Sequence, residues 1–133
     1  MLLDRLREEM TRPPFNTWLG PVAVKADESE RCVVIELPFR PEFSHMTGEE
    51  VFHGGVIAAL ADIAGHATVA VFHGNVTPTV SLQTDFLAPA VGTRLQAVGR
   101  LRKLGRTLAR ADIDLLVADR LVAIARGTFS TKG

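Results

Sequence analysis

Only one cysteine, Cys32, occurs in the 133 residues, so no intrachain disulfide can form and a reducing compartment is the simplest setting. Sitting in the apolar run Cys32-Val33-Val34-Ile35, it is expected to be a small, inert core residue. No charge of either sign is in surplus, because 15 basic and 15 acidic side chains cancel. That balance removes the general pull toward nucleic acid or an anionic membrane, and leaves any anionic ligand to a few local cations. The first ten residues carry charge throughout and lack an apolar h-region, so no secretory leader is expected there. The longest weakly polar stretch, residues 54–72, is interrupted by Asp62 and His66 and is too rich in alanine and glycine for a convincing membrane span. His45, His53, His66 and His73 lack compact ligand spacing, and Asp62 with His66 offers only two ligands, so no metal site is expected. Repeats, linkers and low-complexity segments are also missing. A single cytoplasmic domain spanning 1–133 is the expectation, its 47% hydrophobic content being ample for a core.

What is present reads as an ordered series of elements. Leu2, Leu3, Leu6 and Met10 recur at helical spacing over residues 1–10, and Pro13-Pro14 ends that helix. Residues 15–19 add another turn before Gly20-Pro21, completing an N-terminal helical segment over 1–20. Strands are expected at 22–26 and 31–37, joined by Asp27-Glu28-Ser29-Glu30, and a long loop at 38–52. Residue 54 to about residue 72 forms one helix with apolar side chains on nearly every face, which predicts burial all round; Gly74-Asn75 closes it. Four strands then follow as a meander at 77–87, 93–104, 105–117 and 121–131. An antiparallel sheet with one long helix on its face, an α+β class, satisfies this order. One sheet covers only part of such a helix, and a second copy of the chain is the simplest cover for the rest.

The chemistry concentrates in His53-Gly54-Gly55-Val56-Ile57-Ala58-Ala59-Leu60-Ala61-Asp62. The first N–H groups of a helix have no internal acceptor and present the positive end of its dipole, and glycine lets a ligand approach them closely. Such a terminus suits a negatively charged group, including the oxyanion formed when a carbonyl is attacked. Asp62 lies mid-helix among apolar residues, where an unpaired carboxylate is costly to bury. Gly55, Ala58, Ala59 and Asp62 share one face of very small side chains. Gly54 and Asp62 are eight residues apart, about 12 Å along the axis, too far for one reacting carbon to touch both. Two such helices packed antiparallel about a two-fold axis bring Gly54 of one chain to Asp62 of the other.

These residues resemble the hotdog-fold acyl-coenzyme A thioesterases of the phenylacetate-pathway (PaaI-like) type, whose signature His-Gly-Gly-x-x-x-x-Leu-x-Asp matches residues 53–62. The likeness continues through residues 79–92, Gly105-Arg106-Thr107 and 123–129, covering roughly 15–131. The resemblance implies a hotdog fold, an acyl-coenzyme A substrate, no cofactor beyond the coenzyme A in that substrate, and self-association as a dimer or a dimer of dimers. It implies Asp62 as nucleophile or general base, the Gly54 N–H as carbonyl polariser, and His53 as organiser of the helix start. Thr79 aligns with a hydroxyl that positions the attacking water, and Arg106 with a phosphate-binding base. Gly55, Ser81, Phe86 and Thr107 are the remaining expected substrate contacts, with Val51, Phe52, Val56 and Phe72 as further pocket walls. Relatives place Asn or Gln about six residues before the signature histidine; here either Thr47 or His45 fills that role. His66, one turn beyond Asp62, is either its dyad partner or a structural residue. Arg94, Arg100, Arg102, Lys103 and Arg110 cluster on two strands, where alternation makes many of them ordinary solvated residues. The competing functions are a hotdog hydratase or dehydratase and a non-catalytic acyl-coenzyme A binding module.

Overall fold

The computed structural model describes residues 1–132. Alternation of apolar and polar side chains builds six antiparallel strands: β1 (Val22–Asp27), β2 (Cys32–Pro38), β3 (Thr79–Phe86), β4 (Arg94–Leu104), β5 (Leu108–Val117) and β6 (Arg120–Ser130). They form one sheet in the order β1-β2-β4-β5-β6-β3, which leaves β3 at an edge. Strict in-out alternation along β2, β4 and β5 marks one face as buried, with Val33, Ile35, Leu95, Ala97, Ile113 and Leu115 all inaccessible or nearly so. Helix α3 (Gly54–His73) lies on that face and packs against strands from both halves of the sheet.

Helix and sheet approach closely because each contributes small residues where they touch. A methyl group on Gly99 would lie 2.0 Å from the Thr68 hydroxyl, and one on Gly65 would lie 2.6 Å from the Phe129 ring. Thr68 is fully buried with its hydroxyl already donated to the Ala64 carbonyl, so it has little room to yield. Gly99→Ala is therefore expected to cost roughly 1–3 kcal/mol by overpacking. Comparison of denaturant midpoints checks this, and an unshifted midpoint would show that the helix can lift off the sheet freely.

Two short helices complete the fold: α1 (Leu2–Thr11), which buries Leu6 and Met10, and α2 (Pro14–Leu19). α1 packs on α3 and β1, as its apolar spacing predicts. Pro14 begins α2 at a position where its missing N–H costs nothing, and Gly20 ends it in the left-handed region (φ 87°). The guanidinium of Arg40 lies over the rings of Trp18 and Phe43, at 4.6 and 4.2 Å from their centroids, and ties α2 to the chain before α3. The expected loop at 38–52 carries more structure than that: a 3-10 turn over Pro41–Phe43, then bridges Ser44–Phe52 and Val51–Val91.

Other differences have local causes. β3 begins at Thr79, since Pro78 has no N–H to give a ladder. β5 begins at Leu108, because Gly105–Thr107 form the turn and the Gly105 N–H bonds the Leu108 carbonyl at 2.9 Å. Helix α3 is not buried all round: Gly55 is exposed and Ala58, Ala59 and Asp62 are half-buried, leaving the small-residue stripe open. Cys32 is likewise half-buried at the start of β2, where burial pushes its thiol pKa up and keeps it unreactive. α3 is long and apolar enough to cross a membrane by length and composition (mean hydropathy 1.7), but 61% of that stretch is buried inside the fold, as a core helix requires.

Candidate active site

His53 occupies the N-cap of α3 in extended conformation, and its Nδ1 accepts the Gly55 N–H at 2.8 Å. A neutral imidazole accepting at Nδ1 carries its proton on Nε2. The same cap constrains Gly55, where a methyl group would meet Nδ1 at 3.0 Å. The His53 carbonyl takes the N–H groups of Val56 and Ile57. Among the described residues, nothing accepts from the Gly54 N–H, which leaves that amide as the free donor of the first turn. The ring of Phe86, 55% exposed on β3, covers Gly54, with Cε1 3.5 Å from where a methyl group would sit.

Two turns further along, Asp62 is half-exposed, and its Oδ1 accepts the Thr79 hydroxyl at 2.7 Å. The cost of burying an unpaired acid therefore does not arise. Thr79 reaches the helix because of an irregularity in β3. Its partner on β6 is Phe129, a core residue, and Leu82, Thr84 and Phe86 pair with the buried Gly127, Ala125 and Ala123. Strict alternation from Phe86 would turn residue 79 outward. A bulge between Thr79 and Ser81 inserts Val80 as an extra residue and aims Thr79 inward again.

Asp62 and Thr79 open onto a shallow cleft of about 260 Å³ walled by Pro13, Asn16, Ile63 and Val76. Four larger hollows, about 410, 360, 350 and 310 Å³, lie elsewhere; the first two are walled by residues such as Glu36, Arg94, Arg100 and Asp112, whose carboxylates and guanidinium groups are already paired. Among the described residues, none of the expected site residues lines any of these four, whereas Asp62 and Thr79 line the smaller cleft.

A family profile described as "Thioesterase superfamily" matches residues 49–124. A Pseudomonas aeruginosa protein provisionally named an esterase is 34% identical over 119 residues, 87% of each chain. The chain belongs to the thioesterase superfamily. Its chemistry is thioester hydrolysis and its fold is the hotdog. A solved structure from the same superfamily is 31% identical and superposes with a TM-score of 0.89 over 97% of both chains. The E. coli PaaI protein of the phenylacetic acid degradation operon shares the fold, with a TM-score of 0.82 over 100% of this chain and 97% of its own at 22% identity.

Within this thioesterase fold the expected residues fall into separate groups. His53, Gly54, Gly55 and Phe86 lie together at the start of α3, and Asp62 with Thr79 lies about 12 Å along the axis. Ser81 is not with them: it pairs with Thr128 on the outer sheet face. His45 sits at the base of the preceding loop, its N–H bonded to the Val51 carbonyl, whereas Thr47 lies in the exposed turn closed by Glu49 and Met46. Arg106 and Thr107 form the exposed β4–β5 turn, joined through Thr131 to the end of β6, where the Ser130 N–H meets Pro78 just before Thr79. The further walls do not form one pocket. Val51 and Phe52 are core residues at one end of α3, and Phe72 packs under Arg31 at the other.

Pairing sorts the cations on β4 and β5. Arg94 bonds Glu36, Arg100 bonds Asp114, and Arg102 shares Asp112 with Arg126. The hydrogen bond from Arg126 is the main reason the Asp112 carboxyl pKa is held below its ordinary value. Lys103, Arg106 and Arg110 are exposed and have no acidic partner among the described residues. His66, which residue spacing leaves as a possible partner of Asp62, has both ring nitrogens engaged elsewhere. Its Nε2 accepts the Thr77 N–H at 3.3 Å and its Nδ1 lies 3.4 Å from Glu9.

Proposed function

We propose that this thioesterase is a cytoplasmic homodimer hydrolysing an acyl-coenzyme A, with each active site built from Gly54 of one chain and Asp62 of the other. The Asp62–Thr79 contact carries this reading. It holds one carboxylate oxygen in place on a half-exposed acid, leaving the other free for chemistry. The separation of about 12 Å from the free Gly54 amide is what requires the second chain. Edge strand β3 supplies the surface for it, with Val80 60%, Phe86 55% and Leu87 54% exposed beside the small-residue stripe of α3.

The Gly54 N–H donates to the thioester carbonyl oxygen and stabilises the charge that grows there. Asp62 either takes a proton from water as that water bonds to the carbonyl carbon, or bonds to the carbon itself and is released by water. In the first route the C–S bond breaks as the water adduct collapses; in the second it breaks as the Asp62 anhydride forms, before water opens that anhydride. Both leave a carboxylic acid and the coenzyme A thiol, which takes up the proton given by water. His45, at the loop base rather than its tip, is the better placed replacement for the usual amide. Arg106, with Lys103 and Arg110, supplies uncommitted positive charge for the coenzyme phosphates at the sheet end that also bears Thr79. The apolar walls Pro13, Ile63 and Val76 suit a short apolar or aromatic acyl tail. No step passes through a cofactor. A hydratase mechanism fits less well, since it leans on a histidine–carboxylate pair and Asp62 has no histidine bonded to it.

A mixing experiment tests the shared site. Asp62→Asn and Gly54→Pro chains, each inactive alone, are unfolded together in equal amounts and refolded. Half of the dimers then contain one of each chain and one intact site, so thiol release is expected to recover to about a quarter of the wild-type rate. No recovery would place both groups in one chain's site and remove the dimer from the mechanism.

A further inference from the structure

Asp62 is set by Thr79, and Thr79 is in turn set by the segment that delivers it. That segment, from Gly74 to Pro78, is tied down by a residue the thioester chemistry does not use. Thr77 is wholly inaccessible, and its own hydroxyl finds no partner among the described residues, so its polar anchor is the N–H bonded to His66 Nε2. The other face of the imidazole is oriented by Glu9, a residue of α1 that also pairs with Arg12 and whose carbonyl accepts Asn16 Nδ2 at 2.7 Å. On the sheet side, the Ser130 N–H holds the Pro78 carbonyl at 2.8 Å. Two residues after Thr77 the chain reaches the hydroxyl that grips Asp62.

We infer that His66 is a positioning residue for the Asp62–Thr79 pair: as a neutral acceptor steered by Glu9, it fixes Thr77 and thereby the placement of the Thr79 hydroxyl. This rests on the proposed role of Asp62. The connection is short and stiff, since Pro78 between the two threonines has a locked φ. A displacement at Thr77 is passed on to Thr79, and misplacement by about 1 Å at a reacting group costs on the order of a hundredfold in rate.

The arrangement depends on His66 remaining uncharged. Protonated, it presents a donor to the Thr77 N–H, and the bond is lost. Burial is the main force lowering its pKa below 6.5; Arg12 acts in the same sense, while Glu9 and Asp62 oppose. The segment 74–78 brings no charged side chain to it. Because the folded pKa is depressed, the fold prefers the neutral ring. That preference contributes fully above the unfolded value of 6.5 and is lost as pH falls toward the lower folded value.

His66→Gln and His66→Phe distinguish this role from simple packing. Glutamine keeps an acceptor near the Nε2 position and does not titrate; phenylalanine fills space without an acceptor. In His66→Phe, exchange of the Thr77 amide is expected to accelerate about tenfold or more, and the Thr79 methyl resonance to shift. Its kcat should fall about tenfold or more while KM changes less than about threefold. His66→Gln should retain kcat within about threefold at neutral pH and lose the acid-side decline expected of the wild type as the imidazole protonates. Wild-type kcat in His66→Phe, or a wild-type acid decline in His66→Gln, would overturn the inference. If the phenylalanine variant does not fold, the pH profile and Thr77 exchange of the glutamine variant decide alone. A wild-type protein that releases no thiol counts against the thioester reading. Unchanged Thr77 exchange and Thr79 resonance count against the His66 clasp whatever the activity.

Discussion

Asp62→Asn is expected to slow acyl-coenzyme A hydrolysis by about a thousandfold or more, a loss of roughly 4 kcal/mol of transition-state stabilisation, with acyl-coenzyme A binding largely intact. Asparagine can neither bond to the carbonyl carbon as a carboxylate nor take a proton from water. Its Oδ1 still accepts the Thr79 hydroxyl, now held at 2.7 Å, so the strand and helix keep their register. The position is half-exposed, and the neutral amide leaves no buried charge behind. The thermal midpoint should therefore move little while kcat collapses. Thiol release measured alongside a melting curve separates the two effects, and full turnover in a folded variant would send the search for the reacting group elsewhere.

Gly54→Pro should lower kcat by about a hundredfold to a thousandfold, the cost of removing one donor from an oxyanion site. Proline is tolerated at the first position of a helix, and it deletes only an N–H that has no acceptor among the described residues. The preceding residue, His53, already has φ −60° and ψ 141°, a conformation that proline permits in its neighbour. The nearest atom to a Cβ there is 3.5 Å away on Phe86, an ordinary van der Waals contact. Gly54→Ala keeps the amide and is the control, expected to retain most of the activity. Equal losses in the two variants would mean that crowding against Phe86, not the amide, is what matters.

Much of the fold was legible because its periodicities are plain. The apolar run at residues 32–35, the alternation within 93–104 and the largely apolar span after Gly55 each mark their element in the sequence. Asp62 stood out as an acid in that span, but its degree of exposure did not, since the strand that pairs with it lies 17 residues on. The inward face of Thr79 had no signal of its own: alternation assigns it to the outside, and only the extra residue at Val80 reverses that. The likeness to a known family supplied the residue where periodicity alone assigns it to the other face. Ser81 illustrates the converse, a motif residue that the regular alternation from Phe86 already turns outward. His66 was visible as a neighbour of Asp62 one turn along the helix, yet its bonds run to Glu9, 57 residues earlier, and Thr77, 11 later. No local pattern encodes such long-range partners. Gly54 and Gly55 look equivalent in the motif; the imidazole of His53 takes one amide and leaves the other free.

The additional residue in β3 also bears on how this strand tolerates insertion and loss. Shortening the chain by one at Val80 would restore a regular ladder and tighten the pairing with β6, which favours stability. It would simultaneously rotate the threonine hydroxyl to the far side of the sheet and strip Asp62 of its hydrogen-bond donor. In this strand a stronger ladder and a working carboxylate are alternatives, and the count of residues between Pro78 and Leu82 decides between them.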